Sequence, residues 1–127
     1  MSDGTAAVLR HLAAVDSGDV DAMAADYAPD AVLVRPDRTF RGPKAIAEYF
    51  RSVPARLGGG VVVFEDTRVV GGPHGGGPED AGAADTAIVV RWRIAGGPGD
   101  GRAGRDTYRV VDDRIVHQLV SLDDGDF

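Results

Sequence analysis

The 127-residue chain contains no cysteine, a single lysine (Lys44), a single tryptophan (Trp92) and two methionines. Lack of cysteine removes disulfides, thiolate nucleophiles and Cys-based metal sites together, and fits a reducing compartment. No apolar run approaches the roughly 20 residues that a membrane span requires. Met1-Ser2-Asp3-Gly4-Thr5 lacks the basic segment and apolar run of a signal peptide. The expectation is a soluble cytoplasmic protein with no membrane partner. Positive charge is also scarce: 14 Lys and Arg face 20 Asp and Glu, for a net charge of −6. The arginines are scattered, so the basic patch needed to hold a phosphate backbone is missing and nucleic acid is not an expected partner. Histidines at 11, 74 and 117 have no zinc-type spacing. There is no Gly-x-Ser-x-Gly elbow and no dinucleotide fingerprint after a strand. Neither a metal nor a cofactor is indicated.

What is present is a patterned chain of one-domain size, expected to form a single domain over residues 1–127. Residues 5–17 read as an amphipathic helix with Val8, His11, Leu12 and Val15 on one stripe. Asp19 reads as the N-cap of a short second helix through Tyr27, stopped by Pro29-Asp30. Residues 31–35 form a short strand that returns through Thr39-Phe40-Arg41. Gly42-Pro43 opens a third helix carrying Ile46, Tyr49, Phe50 and Val53, with Pro54 limiting its extent. Beyond Gly58-Gly59-Gly60 the helical period disappears. Segments 61–70, 86–94, 103–111 and 114–122 read as strands. The Gly-rich stretch 71–85 reads as a long flexible loop; no Gly-Lys-Ser/Thr follows, so it is not a phosphate loop. Asp112-Asp113 makes a tight turn, and this pair and Asp123-Asp124 are explained by solvation. Helices first and an antiparallel sheet after them give an α+β fold.

Two ionisable residues break apolar faces. In the strand 104–111, Asp106 shares parity with Tyr108 and Val110, while Arg105, Thr107 and Arg109 take the other face. A buried carboxylate must be paired, hydrogen-bonded or kept neutral by a raised pKa. His11 intrudes in the same way on the first helix. Two polar groups aimed at one interior suggest a pocket. Trp92 falls with Ile88, Val90 and Ile94 and offers a flat apolar wall, or is an ordinary core residue. Tyr108, Gln118 and Val120 line the same interior if the register holds. Arg35 shares parity with Leu33 and either points inward, as an anion holder or a partner of Asp106, or reaches solvent before Pro36. His117, of opposite parity to the pocket, belongs with Leu119 on an outer face.

The segments His11-Leu12-Ala13-Ala14-Val15-Asp16-Ser17-Gly18-Asp19, Tyr27-Ala28-Pro29-Asp30-Ala31-Val32, Arg41-Gly42-Pro43-Lys44-Ala45-Ile46 and Asp106-Thr107-Tyr108-Arg109-Val110 through Arg114-Ile115 carry a resemblance. In this order the chain resembles the ketosteroid-isomerase-like group of the NTF2-like superfamily, often labelled SnoaL-like, over roughly residues 5–123. The resemblance implies a cone: a curved, mostly antiparallel sheet wrapped around three helices, with a pocket at the wide end. It also implies a homodimer built through the outer sheet face. Asp106 matches the position where steroid isomerases hold a protonated aspartic acid, kept neutral by an apolar site. His11 falls where they have the oxyanion-hole tyrosine, and Arg35 where they have the proton-abstracting aspartate, so that base is missing. The Arg-x-Asp strand of the epoxide-hydrolase branch appears as Arg91-Trp92-Arg93. The last-strand acid of that branch, and of the polyketide cyclases, falls near Val120.

The resulting expectation is a cofactor-independent isomerase or cyclase acting on a small, apolar, cyclic carbonyl compound. His11 and Asp106 are the expected catalytic pair, the carboxylate raising the imidazole pKa towards working pH. Arg35, Tyr27, Trp92, Tyr108, Gln118 and Phe50 are the expected substrate-binding residues. The alternative is a non-catalytic ligand-binding or dimeric interaction protein of the same fold.

Overall fold

In a computed structural model the described residues are 5–71 and 86–123. All but Gly71 of the expected flexible loop lies outside them, as do residues 1–4 and 124–127. The elements run α1 (Thr5–Ser17), α2 (Val20–Ala25), β1 (Tyr27–Arg35), β2 (Arg38–Arg41), α3 (Gly42–Leu57), β3 (Val61–Gly71), β4 (Thr86–Ala95), β5 (Ala103–Val111) and β6 (Arg114–Leu122). The sheet order is β2-β1-β6-β5-β4-β3. Every pairing is antiparallel except β1 with β6. Three helices against this open sheet give the expected α+β cone.

Local chemistry sets most boundaries. The Asp19 side chain accepts from Ala22 N at 3.1 Å and caps α2. Gly58, in the left-handed region at φ 55°, ends α3 and returns its N–H to the Pro54 carbonyl at 3.1 Å. Asp112 and Asp113 both take positive φ (51° and 64°), the geometry of a type I′ hairpin turn. Register shifts in β3 and β1 mark bulges, which bend and twist a strand and suit a sheet that must wrap.

Two boundaries differ from the sequence reading. The second helix stops at Ala25, not Tyr27, and Tyr27 is the first residue of β1, paired with Ile115. The cause is tertiary. Ile115 N takes the Asp26 carbonyl at 2.8 Å, and the Asp26 carboxylate takes Arg10 Nε at 2.6 Å. Those bonds hold Asp26 at the helix end while Tyr27 enters the parallel ladder. Pro54 does not end α3, which continues to Leu57. It sits in the last turn, and the glycine behind it supplies the stop.

The core lies between the helices and the concave sheet face. Ile46, Tyr49 and Phe50 of α3, Val8 and Leu12 of α1, and Ile88, Val90 and Ile94 of β4 are all buried. Burying each large apolar side chain is worth about 1.5–3 kcal/mol before chain entropy is subtracted.

Candidate active site

The polar floor of the cone is built by register. Trp92 pairs with Gly104, Asp106 with Val120, and Tyr108 with Gln118. Since side chains alternate across a strand, Trp92, Asp106, Tyr108, Gln118 and Val120 share the concave face, and all five are buried. Gly104 makes one contact possible. A Cβ there would stand 2.6 Å from Trp92 Cζ2, so glycine alone lets the indole lie across β5. From that position Nε1 donates to Asp106 Oδ1 at 3.0 Å.

Asp106 receives two further hydrogen bonds on Oδ2, from Gln118 Nε2 at 3.1 Å and Tyr108 Oη at 3.3 Å. Burial raises its pKa from 3.8 to about 6, against the pull of those three donors and the positive charge of Arg35. The carboxyl is therefore poised to exchange a proton close to neutral pH. Burial also raises the Tyr108 and Tyr27 phenols well above the ordinary value.

His11 lies at the other side of the same cavity, completely buried. The expected direct His11–Asp106 dyad does not form. Tyr27 and Gln118 stand between: His11 Nε2 is 3.3 Å from Tyr27 Oη, and Tyr27 Oη donates to Gln118 Oε1. The carboxylate beside the imidazole is Asp26, with Oδ2 3.8 Å from Nδ1. The expected rise in the His11 pKa is also corrected. Desolvation lowers it to about 4, only partly opposed by the Met23 carbonyl, so the ring is neutral at pH 7.

Arg35 points inward, as one of its two sequence readings held; its guanidinium is buried and donates to Tyr49 Oη at 2.7 Å. It stacks 5.4 Å from the Tyr49 ring centroid, with Nε 3.5 Å from Asp37. Arg35 and Tyr27 stand behind the cavity wall, whereas Trp92, Tyr108, Gln118 and Phe50 line it. Arg91 and Arg93, on the opposite face from Trp92, pair with Asp123 and Glu65 at 2.9 and 3.1 Å.

The buried cavity holds about 60 Å³, with Val15, Phe50, Val53, Val62, Phe64 and Val120 completing its apolar wall. Val15, Phe50, Val53 and Val62 also line an outer groove of about 560 Å³ between α1, α2, α3 and β3. The two spaces share that wall. A polar end with room for a small group thus adjoins an apolar trough of the size that holds drug-sized ligands, about 300–1,000 Å³. Among the described residues no group of three or more His, Cys, Asp or Glu is placed to hold a metal ion, and no helix is long and apolar enough to cross a membrane.

Sequence reasoning missed Asp26, Tyr49 as a polar partner, and Gly104. Asp26 had one usable signal, an acid immediately before Tyr27 at a helix end. Gly104 had another, a glycine inside a strand, which marks a close approach.

Fold and floor together define an NTF2-like protein with an apolar pocket that ends in a hydrogen-bonded carboxyl. The SnoaL-like domain profile matches residues 8–118, and the chain belongs to that family. Among solved structures, a Sinorhizobium meliloti protein assigned as a polyketide cyclase superposes with a TM-score of 0.72 at 21% identity, covering 91% of this chain and 93% of that one. An NTF2-like protein of unknown function from Mesorhizobium loti gives 0.74 at 19% identity, covering 96% and 92%. A Novosphingobium aromaticivorans protein assigned as an aromatic ring hydroxylase gives 0.69 at 20% identity, covering 95% and 87%. At these identities the likeness establishes the fold. A search of curated protein sequences finds no match.

Proposed function

We propose that the protein is a cofactor-independent enzyme of the isomerase or cyclase kind, moving a proton on a small apolar cyclic carbonyl compound. The observation that carries this reading is Asp106, a carboxyl at the floor of an apolar cavity with its pKa raised to about 6. A group so poised can take a proton from carbon and return it elsewhere, which contributes about 10²–10⁴-fold to a rate. The revised roles follow from geometry. Asp106 moves the proton, and Tyr108, lining the cavity, supplies a donor for a developing oxyanion. Trp92 and Phe50 pack the ring, while Tyr27 and His11 orient Gln118. Arg35 holds Tyr49 and moderates the charge of Asp106. The polyketide cyclase assignment of the S. meliloti structure accords with this class.

A second reading, a non-catalytic binding or interaction protein, draws on a different observation. Asp106 already accepts from three protein donors beside a cavity of only about 60 Å³. A thermal-shift panel of cyclic ketones, steroids, aromatic polyketides, phenols and epoxides at pH 5 and pH 8 tests for a working pocket. A pH-dependent rise in Tm with one class supports a pocket floored by a titrating group. No rise with any member turns the account towards an interaction protein. We infer also a homodimer through the outer sheet face, where Leu119 and Val61 are exposed, to be tested by light scattering.

A further inference from the structure

The hydrogen-bonded chain from Asp106 to His11 has a direction, and the direction is forced at one end. An ionised carboxylate only accepts, so Gln118 must turn Nε2 towards Asp106, at 3.1 Å, and Oε1 towards Tyr27. Tyr27 must then give its hydroxyl hydrogen to Gln118. Its oxygen is left to accept from His11, which places the single imidazole proton on Nε2. Nδ1 becomes a bare lone pair.

At the far end the surroundings ask for the opposite. Nδ1 faces Asp26 Oδ2 at 3.8 Å, and neither atom has a hydrogen-bond partner, although both are buried. The Met23 carbonyl also acts on the ring as an acceptor. The atom that faces the Asp26 acceptor therefore has, with Asp106 ionised, nothing to donate. Buried polar atoms left without partners are costly, and networks of this kind act as a unit.

We propose that Asp26, His11, Tyr27 and Gln118 are positioning residues for Asp106, forming one chain with two self-consistent orientations selected by whether Asp106 carries a proton. When Asp106 is protonated its O–H donates to Gln118 Oε1, with the amide turned end for end. The amide N–H then donates to Tyr27 Oη, and the Tyr27 O–H donates to His11 Nε2. The imidazole proton now resides on Nδ1, directed at Asp26 Oδ2. The proton count closes. One N–H bond is lost at Nε2 and one gained at Nδ1 by exchange with water, which reaches Asp26 through the surface pocket it shares with Arg10 and Asp113. The only net gain is the proton on Asp106. The two buried atoms without partners acquire each other in the same step.

The fixed charges around the chain do not choose between the orientations by themselves. Asp106 is faced by Arg35 of β1 and by the phenols of Tyr27, Tyr49 and Tyr108, all neutral near pH 7. Asp26 is faced by Arg10, itself 3.6 Å from Asp113. What changes between pH 7 and pH 5 is Asp106, with a pKa of about 6, while His11 stays neutral until about 4. The proposal rests on the reading of Asp106 as the titrating floor of the pocket, but its test needs no substrate.

That test is nitrogen-15 NMR of the histidine rings, three in the chain, from pH 8 to pH 4.5, with Trp92 fluorescence followed in parallel. Trp92 is the only tryptophan and donates to Asp106, so its emission reports the carboxyl directly. The expected result is a change of the neutral His11 ring from the Nε2–H to the Nδ1–H form, with the same midpoint as the Trp92 signal. In Asp106→Asn, whose amide can donate at every pH, the Nδ1–H form should be present throughout. In Gln118→Leu the Trp92 signal should still titrate while the His11 tautomer stops following it. One unchanging tautomer in the wild type across a Trp92 titration overturns the coupling, whatever the variants do. No Trp92 titration at all would instead remove the titrating carboxyl, and with it the catalytic reading.

Discussion

Replacing Asp106 by asparagine should change not only stability but its dependence on pH, because the native carboxyl works against ordinary acid denaturation. Asp106 has a pKa of about 6 in the folded protein against 3.8 for a free side chain. As pH falls through that interval the native state binds a proton that the unfolded chain does not, so stability rises. Over an interval of roughly two pH units, at about 1.4 kcal/mol per unit, the contribution is about 3 kcal/mol. It is fully present below 3.8 and lost as pH climbs past 6. His11 works the other way. Its pKa drops from 6.5 to about 4 on folding, so between those values the unfolded chain holds the extra proton and acid destabilises, again by about 3 kcal/mol in all. Between pH 4 and 6 the two slopes are equal and opposite, and the wild type hides both. Asp106→Asn unmasks His11. Relative to wild type, the variant should lose about 3 kcal/mol of unfolding free energy between pH 7 and pH 4. Urea unfolding at each pH, followed by far-UV circular dichroism, measures the difference directly. A difference constant to within about 0.5 kcal/mol across the range would refute the reasoning, because Asp106 would then titrate as an ordinary carboxyl.

Other outcomes follow from the same geometry. Gly104→Ala places a methyl against the Ser121 carbonyl oxygen and Trp92 and should cost about 1–3 kcal/mol while shifting the tryptophan emission, read in one fluorescence-detected denaturation series. Changing Asp112-Asp113 to Asn-Gly relieves two residues at positive φ and should raise stability by about 1 kcal/mol, seen as a higher Tm with unchanged ligand response. Val53→Trp fills the wall shared by cavity and groove, and should abolish any ligand-induced Tm rise while leaving the unliganded fold intact by circular dichroism. His11→Gln removes the acid-destabilising group, so relative to wild type its stability should rise by up to about 3 kcal/mol from pH 6.5 to pH 4 in urea titrations.

Much of this site was legible in the sequence because strand parity is a strict rule. Alternation puts Asp106 with Tyr108 and Trp92 with the apolar residues of its strand, the cone resemblance turns both faces inward, and register brings them together with Gln118. Arg35 shares parity with Leu33, which leaves it open between the interior and solvent at a strand end; packing against Tyr49 turns it inward. What failed depended on distances between elements that no local pattern encodes. Tyr27 lies seven residues after Val20 and so mimics a helical stripe, yet the β6 ladder claims it for a strand. His11 was aimed correctly at the interior, but alternation could not say that two side chains would stand between it and Asp106. Its pKa falls instead of rising for the same reason: with no carboxylate in hydrogen-bonding range, desolvation sets the sign. Asp26 escaped notice because a polar residue at a helix end usually meets solvent, whereas this one is buried against Arg10.

The central claim is that Asp106 moves protons on a ligand bound in the cone. Its most direct test is exchange of the α-hydrogens of cyclic ketones in deuterated water, followed by proton NMR with wild-type protein and with Asp106→Asn. The account predicts wild-type-catalysed exchange of at least one ketone, rising with pH through about 6 as the carboxyl ionises and falling by about 10²-fold or more in the folded variant. Equal exchange by the two proteins, or none above the uncatalysed rate across the ketone series, would contradict it.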